Sequence, residues 1–105
     1  MPDSLSTQTR KRFKSIGHTL NPVIIITNKG LSSNIIEDID TRLEKNELIK
    51  IKVSIPDSEK KAQILDTICS TLDAQLIQKI GHVALLYRSA DQPDPKLSNL
   101  IRHGI

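Results

Sequence analysis

Side chains capable of acid–base, nucleophilic or metal chemistry are present in this sequence but nowhere gathered. His18, His82 and His103 are scattered, none four residues from another, and no C-x-x-C spacing occurs, so the pattern of a zinc site is missing. Cys69 is the single cysteine and falls on the apolar stripe of a predicted helix, where a thiol packs rather than reacts. Most carboxylates fall on the outward faces of two predicted helices, in no recognisable catalytic spacing, and no elbow motif singles out a serine. His18 reads as a histidine that bonds to local backbone. One segment has suitable residue types in a suitable order: Thr27-Asn28-Lys29-Gly30-Leu31-Ser32. It follows a predicted strand and opens a predicted helix, so it offers the unpaired N–H groups and partial positive charge of a helix N-terminus. Gly30 lets backbone approach a ligand, Lys29 adds a full charge and Asn28 an amide donor. That chemistry is phosphate binding. The G-x-x-x-x-G-K-[ST] pattern is absent, so this is not a Walker loop.

Charge points the same way. Residues 1–30 hold Arg10, Lys11, Arg12, Lys14 and Lys29 against Asp3 alone, a net +4 in a chain whose total is +3. A basic cluster of this kind is the electrostatic footprint of a phosphate-binding protein, and on a predicted first helix Arg10, Lys11 and Lys14 lie off the apolar face, toward solvent. Aromatic residues are 2% of the chain, Phe13 and Tyr87 only. Modules that stack bases on several exposed rings are therefore excluded, and nucleic acid would have to be held by backbone amides, Lys and Arg. Lys50, Lys52 and Lys79 are weaker candidates, because strand lysines also guard sheet edges.

The elements that must position these groups follow from periodicity. Ser6 can cap a helix to about Ser15, with Thr9, Phe13, Ile16 and Leu20 inward and Gly17 as a stop. Val23–Ile26 reads as a strand, apolar on both faces and so expected to be covered on both. Ser32 or Ser33 caps a second helix to about Lys45 with Ile35, Ile36, Ile39 and Leu43 inward. Glu47–Ile55 alternates, with Ile49, Ile51, Val53 and Ile55 on one face and Lys50, Lys52 and Ser54 on the other. Ser58–Leu72 reads as a third helix with Ala62, Leu65, Ile68, Cys69 and Leu72 inward. Ala74–Ile80 and Val83–Arg88 form two strands joined at Gly81-His82. The order α-β-α-β-α-β-β predicts an α/β (α+β two-layer) fold with a four-stranded mixed sheet.

At 105 residues the chain has the length of one small domain, assigned to residues 1–88. Residues 89–105, with two prolines near their start, read as a mostly disordered tail whose removal after Ser89 should change stability by less than about 1 kcal/mol. No apolar run is long enough to span a membrane and no secretory signal is evident at the N-terminus. With a single cysteine, the expected compartment is the cytoplasm.

Gly17-His18-x-Leu20-x-Pro22-Val23 leading into Lys29-Gly30-Leu31-Ser32 resembles the opening of a CRM (chloroplast RNA splicing and ribosome maturation) domain in its stand-alone, YhbY-like bacterial form. Glu47–Val53 resembles that family's second-strand motif, and Ile80–Arg88 its closing hairpin, so the similarity covers about residues 5–88. The resemblance implies a fold similar to the C-terminal domain of translation initiation factor three, RNA binding, and association with precursors of the large ribosomal subunit. It also implies a G-x-x-G backbone clamp at the loop. Here Thr27 stands at the first glycine position and Gly30 at the second. The expected protein is a monomeric, non-enzymatic RNA-binding protein without metal or cofactor, using Arg10, Lys11, Lys14 and residues 27–32, with the basic helix beside the loop. A protein-interaction module, or a nucleotide-binding protein using the same loop, is the alternative.

Overall fold

Hydrophobic periodicity resolves into seven elements in the computed structural model, which describes residues 5–100. They are α1 (Thr7–Gly17), β1 (Pro22–Ile26), α2 (Ser33–Asn46), β2 (Leu48–Val53), α3 (Ser58–Leu72), β3 (Gln75–Ile80) and β4 (Val83–Tyr87). The sheet order is β1-β2-β4-β3. β1 and β2 are parallel, joined by α2 as a crossover, and the other two pairs are antiparallel. The fold is therefore the predicted α/β type with a mixed sheet. No described helix is long and apolar enough to cross a membrane.

Each helix starts where a side chain caps it. The Ser6 hydroxyl accepts from Thr9 N–H, Ser32 from Ile35 N–H, and Asp57 from the N–H groups of Glu59 and Lys60. The first sheet face carries Ile26, Ile49, Ile51, Val53, Ala84 and Leu86, packed against Ile39 and Leu43 of α2 and Ile64, Leu65 and Ile68 of α3. The second face carries Leu48, Ile77 and Leu85, packed against Phe13 and Ile16 of α1. The rings of Phe13 and Tyr87 meet there, centroids 4.9 Å apart.

Gly17 ends α1, but not as a left-handed stop, since His18 beyond it is still right-handed helical. Its role is proximity: a Cβ at Gly17 would stand 2.7 Å from Leu85 Cδ2, so the missing side chain lets the helix lie on the strand.

Four expectations are corrected. β1 is an edge strand, and Ile25 is 60% exposed. Helix α1 lies over β2 and β3, and among the described residues nothing buries Ile25 on the second face of β1. On α3, Ala62 is exposed and Lys61 is buried. The Lys61 stem runs inward and its ammonium donates to Gly81 O at 3.3 Å, at the β3–β4 turn. Glu47 belongs to no strand; it caps α2 with φ +64°, and its carboxylate is buried.

The fourth correction concerns the tail, which is docked as far as residue 100. The Glu47 carboxylate accepts from Ala90 N–H at 2.9 Å and from the Ser98 hydroxyl at 2.7 Å. Asn99 Nδ2 donates to Leu48 O at 2.6 Å, and Leu100 is buried with Phe13 and Leu48. Leu97 stays 41% exposed. Ile101 lies outside the described residues.

Candidate nucleic-acid interface

The loop after β1 is held from both ends. Gly30 N–H donates to Thr27 O at 2.8 Å, closing a turn over residues 27–30, and Gly30 takes φ +76°. A side chain at that φ is strained whatever the space around it, which explains the glycine. Thr27 does not adopt a positive φ, so its Cβ is accommodated and the loop forms without a glycine there. Leu31 packs against the core of the first face and anchors the loop to the body.

Thr27, Asn28, Lys29 and Ser32 are exposed, and Gly30 and Leu31 are half-buried. Beyond them Ser33 and Asn34 open α2, whose first turn contains no acidic residue. The partial positive charge of that terminus is thus uncompensated next to Lys29. The loop can accept an anionic oxygen on backbone N–H groups, with one full positive charge alongside.

Helix α1 contributes the second group. Arg10 and Lys14 are half-buried and Lys11 is exposed, and the helix has no carboxylate. The structure does not set this helix directly beside the loop. Phe13 sits at the Leu48 end of β2, whereas the loop leaves β1 at Ile26, which pairs with Val53 at the other end. The five residue steps between Leu48 and Val53 span about 17 Å of strand. Lys50 and Lys52 lie in that interval on the same face as Leu48. Lys79 pairs with Ala84 and so lies on the opposite face.

The histidines do not converge. His18 is exposed at the end of α1. His82 Nδ1 lies 3.1 Å from Val53 O and 3.3 Å from Lys61 Nζ at the hairpin. His103 lies outside the described residues. Among the described residues no group of three or more His, Cys, Asp or Glu could hold a metal ion. Cys69 is half-buried on the core side of α3, and burial, aided by the Asp66 charge, pushes its thiol pKa up, away from a reactive thiolate. Two outward carboxylates of α2 form ion pairs: Asp40 and Glu44 face Arg88 at 2.6 and 3.6 Å.

The chain is similar to proteins already known. The family model of the CRS1/YhbY (CRM) domain matches residues 5–88. A Pseudomonas aeruginosa protein named "Probable RNA-binding protein" is 36% identical over 99 residues, covering 94% of this chain and 95% of its own length. A Haemophilus influenzae protein named "RNA-binding protein" is 36% identical over 89 residues, 85% of this chain and 90% of its own. A Staphylococcus aureus protein solved in solution, described as a candidate RNA-binding protein, superposes with a TM-score of 0.72 at 28% identity, covering 85% of this chain and 93% of that one.

Proposed function

The chain belongs to the CRS1/YhbY (CRM) domain family, and from that premise we propose that it is a non-enzymatic RNA-binding protein gripping a phosphate backbone with loop 27–32 and the basic residues of α1. The observation that carries this reading is the loop itself. An exposed turn with Lys29 and Gly30 leads into a helix N-terminus that has no acidic residue in its first turn. Such a site binds phosphate by amides and charge without reading base identity, so it positions the strand. Arg10, Lys11 and Lys14 add further phosphate contacts. No catalytic group is needed for that work.

The finer reading is that the RNA is ribosomal, within precursors of the large subunit, and that the protein works as a monomer in the cytoplasm. It is supported by family membership and tested by crosslinking in cells followed by sequencing of the bound RNA. Enrichment of large-subunit precursor sequences is the expected result. A profile without them rejects the ribosomal assignment.

The loop is tested by charge reversal. Lys29→Glu is expected to weaken binding of a short single-stranded RNA by about 30-fold, since it replaces a charge-assisted contact with a repulsion. Its melting temperature should stay near wild type, because an exposed turn charge contributes little to stability. Thr27→Gly should bind as well or better, with a small stability loss from backbone entropy. Asp66→Lys, an exposed site on α3, reverses a charge on the far side and should change affinity only slightly. Wild-type affinity for Lys29→Glu would reject the loop as the contact.

A further inference from the structure

Among the described residues, the second face of the sheet is only half covered, and the bare half has a consistent chemistry. Its residues are Ile25 of β1, Lys50 and Lys52 of β2, Val83 of β4, and Gln78 and Ile80 of β3, as the pairings Ile25↔Lys52, Lys52↔Val83, Gln78↔Leu85 and Ile80↔Val83 require. Ile25 and Ile80 are 60% and 59% exposed. At the border with α1, a cleft is lined by Gly17, His18, Lys50, Gln78, Ile80 and Val83.

The sign of this surface is uniform. On this face the strands carry Lys50 and Lys52 and no carboxylate, and α1 has no carboxylate either. A second groove, between β1 and α2, lacks that uniformity, since Asp38 lines it together with Arg42 and Lys45. An aliphatic floor carrying ammonium groups, with amide and imidazole edges at one border, suits an unpaired polynucleotide. Apolar side chains meet base faces, lysines meet phosphates, and Gln78 and His18 can bond to base edges.

We propose that the bare half of this face is a track for single-stranded RNA, joining the basic helix α1 to loop 27–32. The proposal rests on the RNA-binding reading and extends it. The two groups of phosphate contacts lie at opposite ends of β2, with Lys50 and Lys52 between them. A strand held by both must cross Ile25, Lys52 and Val83.

The test uses the full chain and single-stranded RNAs of four, eight and twelve nucleotides, with affinities measured across a salt series. Lys50→Gln with Lys52→Gln should weaken the twelve-mer by about 10-fold and reduce the salt slope by about 1.4, two contacts at roughly 0.7 each. Lys79→Gln, on the same sheet but the other face, should leave both nearly unchanged. Ile25→Ser with Ile80→Ser should weaken the twelve-mer about threefold with an unchanged salt slope, because base contacts release no counterions. Amide NMR shifts on adding the eight-mer to wild type should include Ile25, Lys52 and Val83, a readout that needs no variant. Should Lys29→Glu lose affinity while the sheet variants bind as wild type and those amides stay still, the track is overturned and the loop reading stands. If wild type binds no RNA, both fall. If the isoleucine variants alter sedimentation of the free protein but not RNA affinity, the face is a contact between copies, and the track is overturned.

Discussion

A chain ended at Ser89 is expected to lose about 4 kcal/mol of unfolding free energy, with a melting temperature lower by about 15 °C or more. Burial of Leu100 against Phe13 and Leu48 accounts for about 2 kcal/mol. The remainder comes from the hydrogen bonds that reach the carboxylate of Glu47 from Ala90 and Ser98, and from Asn99 to Leu48 O. Bonds to a charged acceptor contribute more than neutral ones. Glu47 sharpens the expectation. It holds φ +64°, a conformation that costs a non-glycine residue about 1 kcal/mol or more, with its N–H bonded to Leu43 O, its carbonyl to Arg88 N–H and its carboxylate to the tail. Glu47→Ala keeps that backbone cost and leaves the buried Ser98 hydroxyl without its carboxylate, so it should show roughly half the loss. Urea unfolding of both variants measures this. A truncated chain within about 1 kcal/mol of wild type would mean that the tail does not hold the body.

Gly17→Val is expected to cost about 3 kcal/mol. Even a Cβ at this position would stand 2.7 and 3.0 Å from the two methyls of Leu85, which is 3% exposed at the sheet centre. One added methyl can be met by a shift of the leucine, and a helical alanine gains about 1 kcal/mol over glycine, so Gly17→Ala should lie near zero. Valine removes that escape. The branched side chain must lift the end of α1 off β4, partly uncovering Phe13 and Ile16. The paired variant Gly17→Val with Leu85→Ala should recover part of the loss in a double-mutant cycle, whereas independent sites would add. A single valine variant as stable as wild type would show that helix and strand are not in contact there.

Where the sequence was legible, it was so for local reasons. Ser6, Ser32 and Asp57 announce helix starts because a cap needs one side-chain oxygen at one place. The loop could be read because Gly30 and Ser32 perform tasks that few other residues perform. The misreadings have global causes. The run Val23–Ile26 reports apolarity but not strand order, and the order β1-β2-β4-β3 puts it at the edge, with Ile25 bare. The tail looked like a linker because its anchors, Ser98 and Asn99, are polar, and their value depends on the Glu47 carboxylate and the Leu48 carbonyl, about fifty residues away. Lys61 broke the inward stripe of α3 because its stem is apolar and its charge finds a carbonyl. The distance between α1 and the loop depended on which end of β2 each one meets, which no spacing records.

The contact between Phe13 and Tyr87 also has an optical consequence. The chain has no tryptophan and one tyrosine, so nearly all its near-ultraviolet absorption and intrinsic emission come from the Tyr87 phenol. That ring rests on α1, beside the cluster that holds the tail. Tyrosine emission therefore watches the layer of α1 and the C-terminal segment, while far-ultraviolet dichroism sums over all three helices and the sheet. Recorded in the same melt, the two signals separate undocking of that layer from collapse of the whole domain, with no label attached.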